Sequence, residues 1–285
     1  MIRRLCIIGV GLIGGSLARA LRQAGAVDEV VGCSRRREHL QQAVDLGVID
    51  RYSTDIAAAV KDADMILVAV PLGAMEAIFG AMAGQLAPDA VVTDAGSAKR
   101  SVIEAARRAF GELPAGFVPG HPIAGTEQSG VAASFADLYK GRRVILTPTD
   151  QTSVAALDKV SAMWQTAGAE VVCMEADLHD EVLAATSHLP HILAFGLVDS
   201  LARLNEHQEI FDNAAGGFRD FTRIASSDPV MWRDICLENR QALLAMMDRF
   251  AEDFARIRAA IEAGQGDELL EIFSRAKQAR DEHAE

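Results

Sequence analysis

The hexapeptide Gly9-Val10-Gly11-Leu12-Ile13-Gly14 follows an apolar run at residues 5–8 and precedes an amphipathic stretch at 16–24. Strand, glycine loop and helix in direct succession leave few folds open. Gly9 suits a tight turn, Gly11 lets backbone approach a pyrophosphate, and Gly14 allows close packing of helix on strand. The start of the helix, at Leu12 and Ile13, offers free amides to phosphate. A glycine turn with no ligand is the plainer alternative.

The pattern that opens at this loop continues. Apolar runs recur at 30–32, 65–70, 91–93, 117–118, 144–146 and 171–173, with Ala-rich amphipathic stretches at 39–46, 74–83 and 101–110 between several of them. Such alternation predicts an α/β domain with a mostly parallel sheet covered on both faces. After Met174 the strand signal stops. A helix opened by acidic residues is expected over 177–204, a second from Asp228-Pro229 without a breaker to Gly264, and a short last one over 267–279. The second would approach about 50 Å, longer than a small domain is wide, and implies a partner subunit. Domains are therefore expected at 1–174 and 175–285.

Twenty-eight basic against 40 acidic residues give a net charge of −12, which argues against nucleic acid as a partner. The most apolar segment, 182–201, carries His188, Pro190, His191 and Asp199 and reads as a buried helix, not a membrane span. Cys6, Cys33, Cys173 and Cys236 lack paired spacing, and no charged leader precedes an apolar stretch. Reduced core thiols in a cytoplasmic protein are expected.

Ligands of open α/β sheets bind beyond the carboxyl ends of the strands. After the second run comes Ser34-Arg35-Arg36-Arg37, where an acidic residue would ordinarily hold the ribose 2′-hydroxyl of NAD. A small hydroxyl followed by arginine suits a 2′-phosphate instead, so NADP is preferred and NAD kept open; the arginines also fit a solvated helix start. Later runs end in Pro71-Leu72, in Asp94-Ala95-Gly96-Ser97-Ala98-Lys99, and in a loop beginning Gly120-His121-Pro122. His121 can serve as base or acceptor toward a substrate hydroxyl, or simply bond backbone. Ser97 could orient that imidazole or bond the same hydroxyl. His188 and His191, three apart, could line a polar patch facing substrate; a third metal ligand at a characteristic spacing is missing. Arg219 and Arg223, four apart, share a face if helical and suit an anionic substrate or local ion pairs.

Together, Gly9 to Gly14, DAGSAK from Asp94, HPIAGTEQSG from His121, SHLPH from Ser187, and GFRDFTRIA from Gly217 followed by Asp228-Pro229 resemble the prephenate/arogenate dehydrogenase family of tyrosine biosynthesis. The resemblance implies a Rossmann-type N-terminal domain, an all-helical C-terminal dimerisation domain and a homodimer. It implies oxidation of a ring C4 hydroxyl with loss of the ring carboxylate, and needs no metal. By the same resemblance His121 accepts the hydroxyl, Ser97 assists, Arg223 engages a carboxylate, His191, Thr126 and Arg219 line the pocket, and Glu127 belongs to a gating ion pair. Arg219 stands where many relatives carry lysine. The cofactor would lie on Gly9, Gly11, Leu12, Ile13, Gly14, Ser34 and Arg35. No fused mutase or amino-acid-sensing domain is expected, so any tyrosine inhibition falls on the active site. Two competing readings are a β-hydroxyacid dehydrogenase, which would want a catalytic lysine where only Lys277 follows Lys159, and a non-catalytic dinucleotide sensor.

Overall fold

The computed structural model describes residues 1–205 and 207–283. Its first part alternates as expected: β1 (Ile2–Ile8), α1 (Leu12–Gln23), β2 (Val27–Cys33), α2 (Arg37–Asp45), β3 (Arg51–Ser53), α3 (Ile56–Val60), β4 (Met65–Val68), α4 (Met75–Met82), β5 (Val91–Asp94), α5 (Arg100–Phe110) and β6 (Phe117–Val118). The six strands form one parallel sheet in the order β3-β2-β1-β4-β5-β6. Their apolar residues sort by the two-residue period of a strand. Leu5, Ile7 and Leu67 pack with Leu17 and Leu21 of α1 on one face, while Cys6, Ile8, Ile66 and Val68 pack with Phe79 of α4 and Val102 of α5 on the other.

The single sheet expected from the sequence is in fact two. At Pro119, which has no N–H for a ladder, the chain leaves the first sheet, and β7 (Gly120–Pro122), β8 (Arg143–Leu146) and β9 (Glu170–Cys173) build a second, with α6 (Val154–Thr166) between the last two. There β7 runs antiparallel to β8 and β9 parallel to it.

The helical part begins with α7 (Ala176–Leu183), a π-helical turn at Ala184–His188 and α8 (Leu189–Ala202). Next come α9 (His207–Asp212), α10 (Gly216–Thr222), a 3₁₀ turn at Arg223–Ser226, α11 (Pro229–Glu238), α12 (Arg240–Glu262) and α13 (Gly266–Glu282). Asp228 caps α11 by accepting from Met231 N at 2.9 Å. The long helix expected beyond it breaks at Asn239 (φ −103°, ψ 29°), whose side-chain amide is engaged by buried partners in the preceding helices. The segment Ala176–Ala202 is long and apolar enough to cross a membrane by composition, and only 28% of its most apolar window is buried. It is thus not the fully buried helix expected: Leu183, Ala184, His188, Leu189 and Ala194 are covered, whereas Leu178, Val182 and Leu197 lie open. Of the cysteines only Cys6 and Cys33 are buried; Cys173 is exposed and Cys236 half-buried, so the core-thiol reading holds for two of the four.

Two compact units result, Met1–Arg240 and Gln241–Glu285. The second is helical and exposes Leu244, Phe254, Ile261, Leu270 and Phe273.

At the carboxyl end of β5, Asp94 and Lys99 form an ion pair with no exposed side-chain surface. Removing one partner of such a pair strands a charge. Asp94→Ala is expected to cost about 3–5 kcal/mol of stability. Glu104→Ala, which breaks the exposed pair with Arg107, should cost less than about 1 kcal/mol. Urea unfolding midpoints of the two variants check the contrast.

Candidate active site

The sheet order reverses between β1 and β4, and ligands of such sheets sit in the crevice at that point. The glycine loop lies there. Gly9 has φ 95°, and a Cβ on it would stand 2.2 Å from Ala69 O, while one on Gly14 would meet Ile7 Cγ2 at 2.5 Å. A Cβ on Gly11 would meet nothing within 4 Å. Helix α1 starts at Leu12 with neither a side-chain cap nor an acidic residue in its first turn, which leaves its amides to an anion. This cradle fits the pyrophosphate of a dinucleotide. Ser34 follows β2 directly and donates to Arg36 O at 3.2 Å; Arg35 is exposed, and Arg37 donates to Tyr52 Oη at 3.2 Å.

On the other side of the crevice the Asp94–Lys99 pair holds the backbone. Lys99 Nζ donates to Gly120 O at 2.6 Å, and Asp94 Oδ1 accepts from Gly120 N at 3.0 Å, so both polar groups of Gly120 are fixed. The next residue is His121. Its Nδ1 lies 2.9 Å from Nε2 of His179, with the rings edge to face, and His179 Nδ1 lies 2.7 Å from Asp180 Oδ1. Asp180 in turn accepts from the amides of Lys99 at 2.7 Å and Arg100 at 3.0 Å, capping α5 from a neighbouring helix. Of the acidic residues that open α7, Asp177 sits in its first turn as expected, whereas Asp180 serves the start of α5.

Burial drives the His121 pKa well below the ordinary histidine value, and the positive charge of Lys99 and the neighbouring His179 and His188 push the same way. His179 is also lowered by burial, against the pull of Asp180. Burial acts to raise Asp180, but its bonds from His179, Lys99 N and Arg100 N prevail and hold it low.

His188 and His191 part company. His188 is buried, with Nδ1 3.0 Å from Asn239 Nδ2, and burial lowers its pKa to about 4. His191 is half-buried, donates from Nδ1 to Ser187 O at 2.9 Å and stacks on Trp232 at 3.7 Å. No cluster of three or more His, Cys, Asp or Glu suited to a metal occurs among the described residues. Arg219 and Arg223 do not share a helix: α10 ends at Thr222, and Arg223 opens the 3₁₀ turn. Arg223 is paired with Glu127, the partner in the 121–130 loop, and not with Asp220. Thr126, in that loop, accepts from Gln128 N at 3.2 Å. Ser97 does not orient His121 through Nδ1, because His179 occupies that position.

Sequence reasoning missed His179, Asp180, Asn239 and Trp232. The adjacent His179-Asp180 in the first apolar helix was a signal, since a neutral imidazole beside a carboxylate on a buried face is costly without a further partner.

Two family models match the chain: "Prephenate dehydrogenase, nucleotide-binding domain" over residues 17–173 and "Prephenate dehydrogenase, dimerization domain" over 175–275. The first match begins just past the glycine loop. The cyclohexadienyl dehydrogenase of Zymomonas mobilis is 40% identical over 98% of this chain and 95% of its own. A prephenate dehydrogenase from Aquifex aeolicus, solved with hydroxyphenyl propionate and NAD+, superposes with a TM-score of 0.92 at 38% identity, covering 99% of this chain and 98% of that one. Synechocystis arogenate dehydrogenase superposes with a TM-score of 0.80 at 26% identity, covering 98% and 99%.

The buried histidines carry a stability cost at low pH. With a folded pKa of about 4 against an ordinary 6.5, His188 takes up a proton more readily when unfolded, so stability falls as pH drops through this window and levels off below it. The contribution is about 3 kcal/mol. His188→Gln should flatten the fall in urea midpoint between pH 7 and pH 4; an unchanged slope would count against this assignment.

Proposed function

The chain belongs to the prephenate dehydrogenase family, and from that premise we propose the residues by which it works and the cofactor it prefers. It catalyses the oxidative decarboxylation of prephenate or arogenate in tyrosine biosynthesis, with hydride transfer to a nicotinamide cofactor. The observation that carries the site assignment is His121: a buried imidazole, kept neutral, next to Gly120, whose backbone is held by Asp94 at the carboxyl end of β5.

His121 accepts the hydrogen bond and proton of the C4 hydroxyl through Nε2, with Ser97 assisting at the same oxygen. A bound nicotinamide would supply the acceptor for the C4 hydride. Loss of the ring carboxylate as CO₂ then leaves its electron pair in the ring, which becomes aromatic, and the oxygen recovers its proton as a phenol. Arg223, exchanged from Glu127 to the substrate, anchors a carboxylate. His191, Thr126 and Arg219 line the pocket. Gly9, Gly11, Leu12, Ile13 and Gly14 hold the pyrophosphate.

NADP is the proposed cofactor, with NAD as the alternative, because Ser34 and Arg35 stand where an acidic residue would select the free 2′-hydroxyl. The functional division is placed at residue 174, and the helical part is proposed to pair two copies in a cytoplasmic homodimer. The open apolar residues of α12 and α13 support that pairing. A β-hydroxyacid dehydrogenase is not favoured.

Initial rates with both substrates and both cofactors test the activity. Arg35→Ala should weaken NADP by about 1.5–3 kcal/mol and leave NAD nearly unchanged; equal effects on both would overturn the NADP preference. His121→Asn should lower kcat by about 10²- to 10⁴-fold with a smaller change in KM. Arg223→Ala should instead raise KM by roughly 30-fold at saturating cofactor. An unchanged KM would return Arg223 to a purely structural pairing with Glu127.

A further inference from the structure

The proposed mechanism asks His121 to accept a hydrogen bond, and an imidazole can do so through Nε2 only if its single proton sits on Nδ1. The surrounding bonds decide which nitrogen carries it. Both oxygens of Asp180 accept: Oδ1 from Lys99 N and Oδ2 from Arg100 N, each a backbone N–H. A carboxylate so capped by the start of a helix stays ionised and has no proton to give. The nitrogen 2.7 Å from Oδ1, His179 Nδ1, must therefore be the N–H of that ring. In a neutral ring the other nitrogen is then a lone pair. His179 Nε2 consequently accepts at 2.9 Å, and His121 Nδ1 is the donor. One unambiguous charge at the end of the chain fixes two tautomers.

We propose that His179 is a positioning residue for the reaction: anchored by Asp180, it holds His121 as the Nδ1–H tautomer and so keeps Nε2 as the acceptor for the substrate hydroxyl. The inference rests on the role of His121 as the acceptor of that hydroxyl. It also accounts for how the site handles a proton. The reaction releases none overall: the hydroxyl proton is taken by His121 Nε2 as the hydride leaves C4, and returns to the same oxygen once CO₂ has gone and the ring has become aromatic. While His121 is protonated, its Nδ1–H bond to His179 strengthens, and the charge is offset by Asp180 through the intervening ring. What the site needs is a short-lived store for one proton. A chain that ends on a carboxylate saturated by backbone amides is such a store.

The other charged or titratable groups bearing on this chain are Lys99 and Asp94, after and at the end of β5, and His188 in the π turn. None of them is bonded to His179 Nε2 in place of His121: Lys99 Nζ donates to Asp94 and Gly120 O, and His188 accepts at Nδ1 from Asn239, so its own N–H is Nε2, which reaches no hydrogen-bond partner among the described residues. The arrangement also has a sign. Protonating His179 would turn its Nε2 into a donor, force His121 Nδ1 to accept and move the His121 proton to Nε2, where it blocks the substrate. Burial, which keeps His179 neutral, protects against this inversion.

The test is direct observation of the tautomers in the whole, ligand-free protein labelled with ¹⁵N-histidine, by long-range ¹H–¹⁵N correlation at neutral pH. Comparison with His121→Asn and His179→Gln assigns the two rings. Both should show a protonated Nδ1 and a lone-pair Nε2, the reverse of the form a free neutral imidazole favours. An Nε2–H tautomer at His121 in the wild-type protein overturns the proposal, whatever the activity of any variant. In His179→Gln the side-chain carbonyl can still accept from Nδ1, so His121 should keep its tautomer, with kcat reduced by roughly 10-fold because no imidazole shares the charge. In His179→Phe the His121 proton should move to Nε2, kcat should fall by about 10²-fold or more, and KM should change less than about 3-fold. Retention of the Nδ1–H form in His179→Phe would also overturn it. Failure of the His121→Asn kinetics with both tautomers as stated would instead count against the functional reading on which the proposal rests.

Discussion

A single carboxylate, that of Asp180, ties the parallel sheet to the helices beyond it in the chain. It is 4% exposed, and a bare charge in such a place would cost several kcal/mol. Its compensation comes from three directions: the first amides of α5, the ring of His179, and the positive end of the α5 dipole. Charge-assisted bonds of this kind contribute about 1.5–3 kcal/mol each. Each partner is also placed by giving its bond. The start of α5 is where Lys99 turns inward to hold Gly120, and the backbone of Asp180 accepts from Asn239 at the end of α11. His121 is thus located by two buried charge systems, one at each end of the same short loop.

The π turn at Ala184–His188 is the second device. Turns of this type cluster at functional sites because the extra residue re-aims the side chains of the next helical turn. Here the SHLPH segment delivers one histidine inward and another toward the edge. His188 reaches Asn239, which is able to meet it only because α11 stops there, while His191 lies flat on Trp232. Breaking a long helix gives up part of a turn of backbone bonds. The Asn239 amide recovers two bonds in the buried interior, where leaving His188 Nδ1 and the Asp180 carbonyl unpaired would cost more.

How much of the fold and site is legible in the sequence depends on the range of each interaction. The parallel sheet could be read because the runs at 5–8, 65–68 and 91–92 are short and apolar, and the glycine loop because its spacing between strand and helix is local, although the constraint on Gly9 comes from Ala69, just after β4. His121 could be found from its place after a strand. Its partners could not: His179 is 58 residues away, and its meaning depends on an edge-to-face approach that no local pattern encodes. Strand β7 was hidden for the same reason, being three residues long and paired to a strand more than twenty residues on. The break at Asn239 was misread because asparagine is only mildly unfavourable in a helix, so nothing local overrides the apolar period around it. Tertiary bonds decided it.

The neutrality of His121 has a physical price elsewhere in the same cluster. A histidine that is neutral at rest is kept so by a dry site near a positive charge, and burial together with Lys99 supplies both. Yet a lysine buried to that depth is itself pulled below its ordinary pKa and would release its proton without a counter-charge, which Asp94 provides. Asp94 in turn needs donors, and takes them from the amides of Gly96 and Gly120. The neutrality of His121 therefore propagates outward, as an alternation of charge and backbone dipole, until it is absorbed by the end of β5 and the start of α5. This is why the DAGSAK segment sits beside the histidine loop: its aspartate and lysine act through the backbone and the field they impose on His121, without touching the ring.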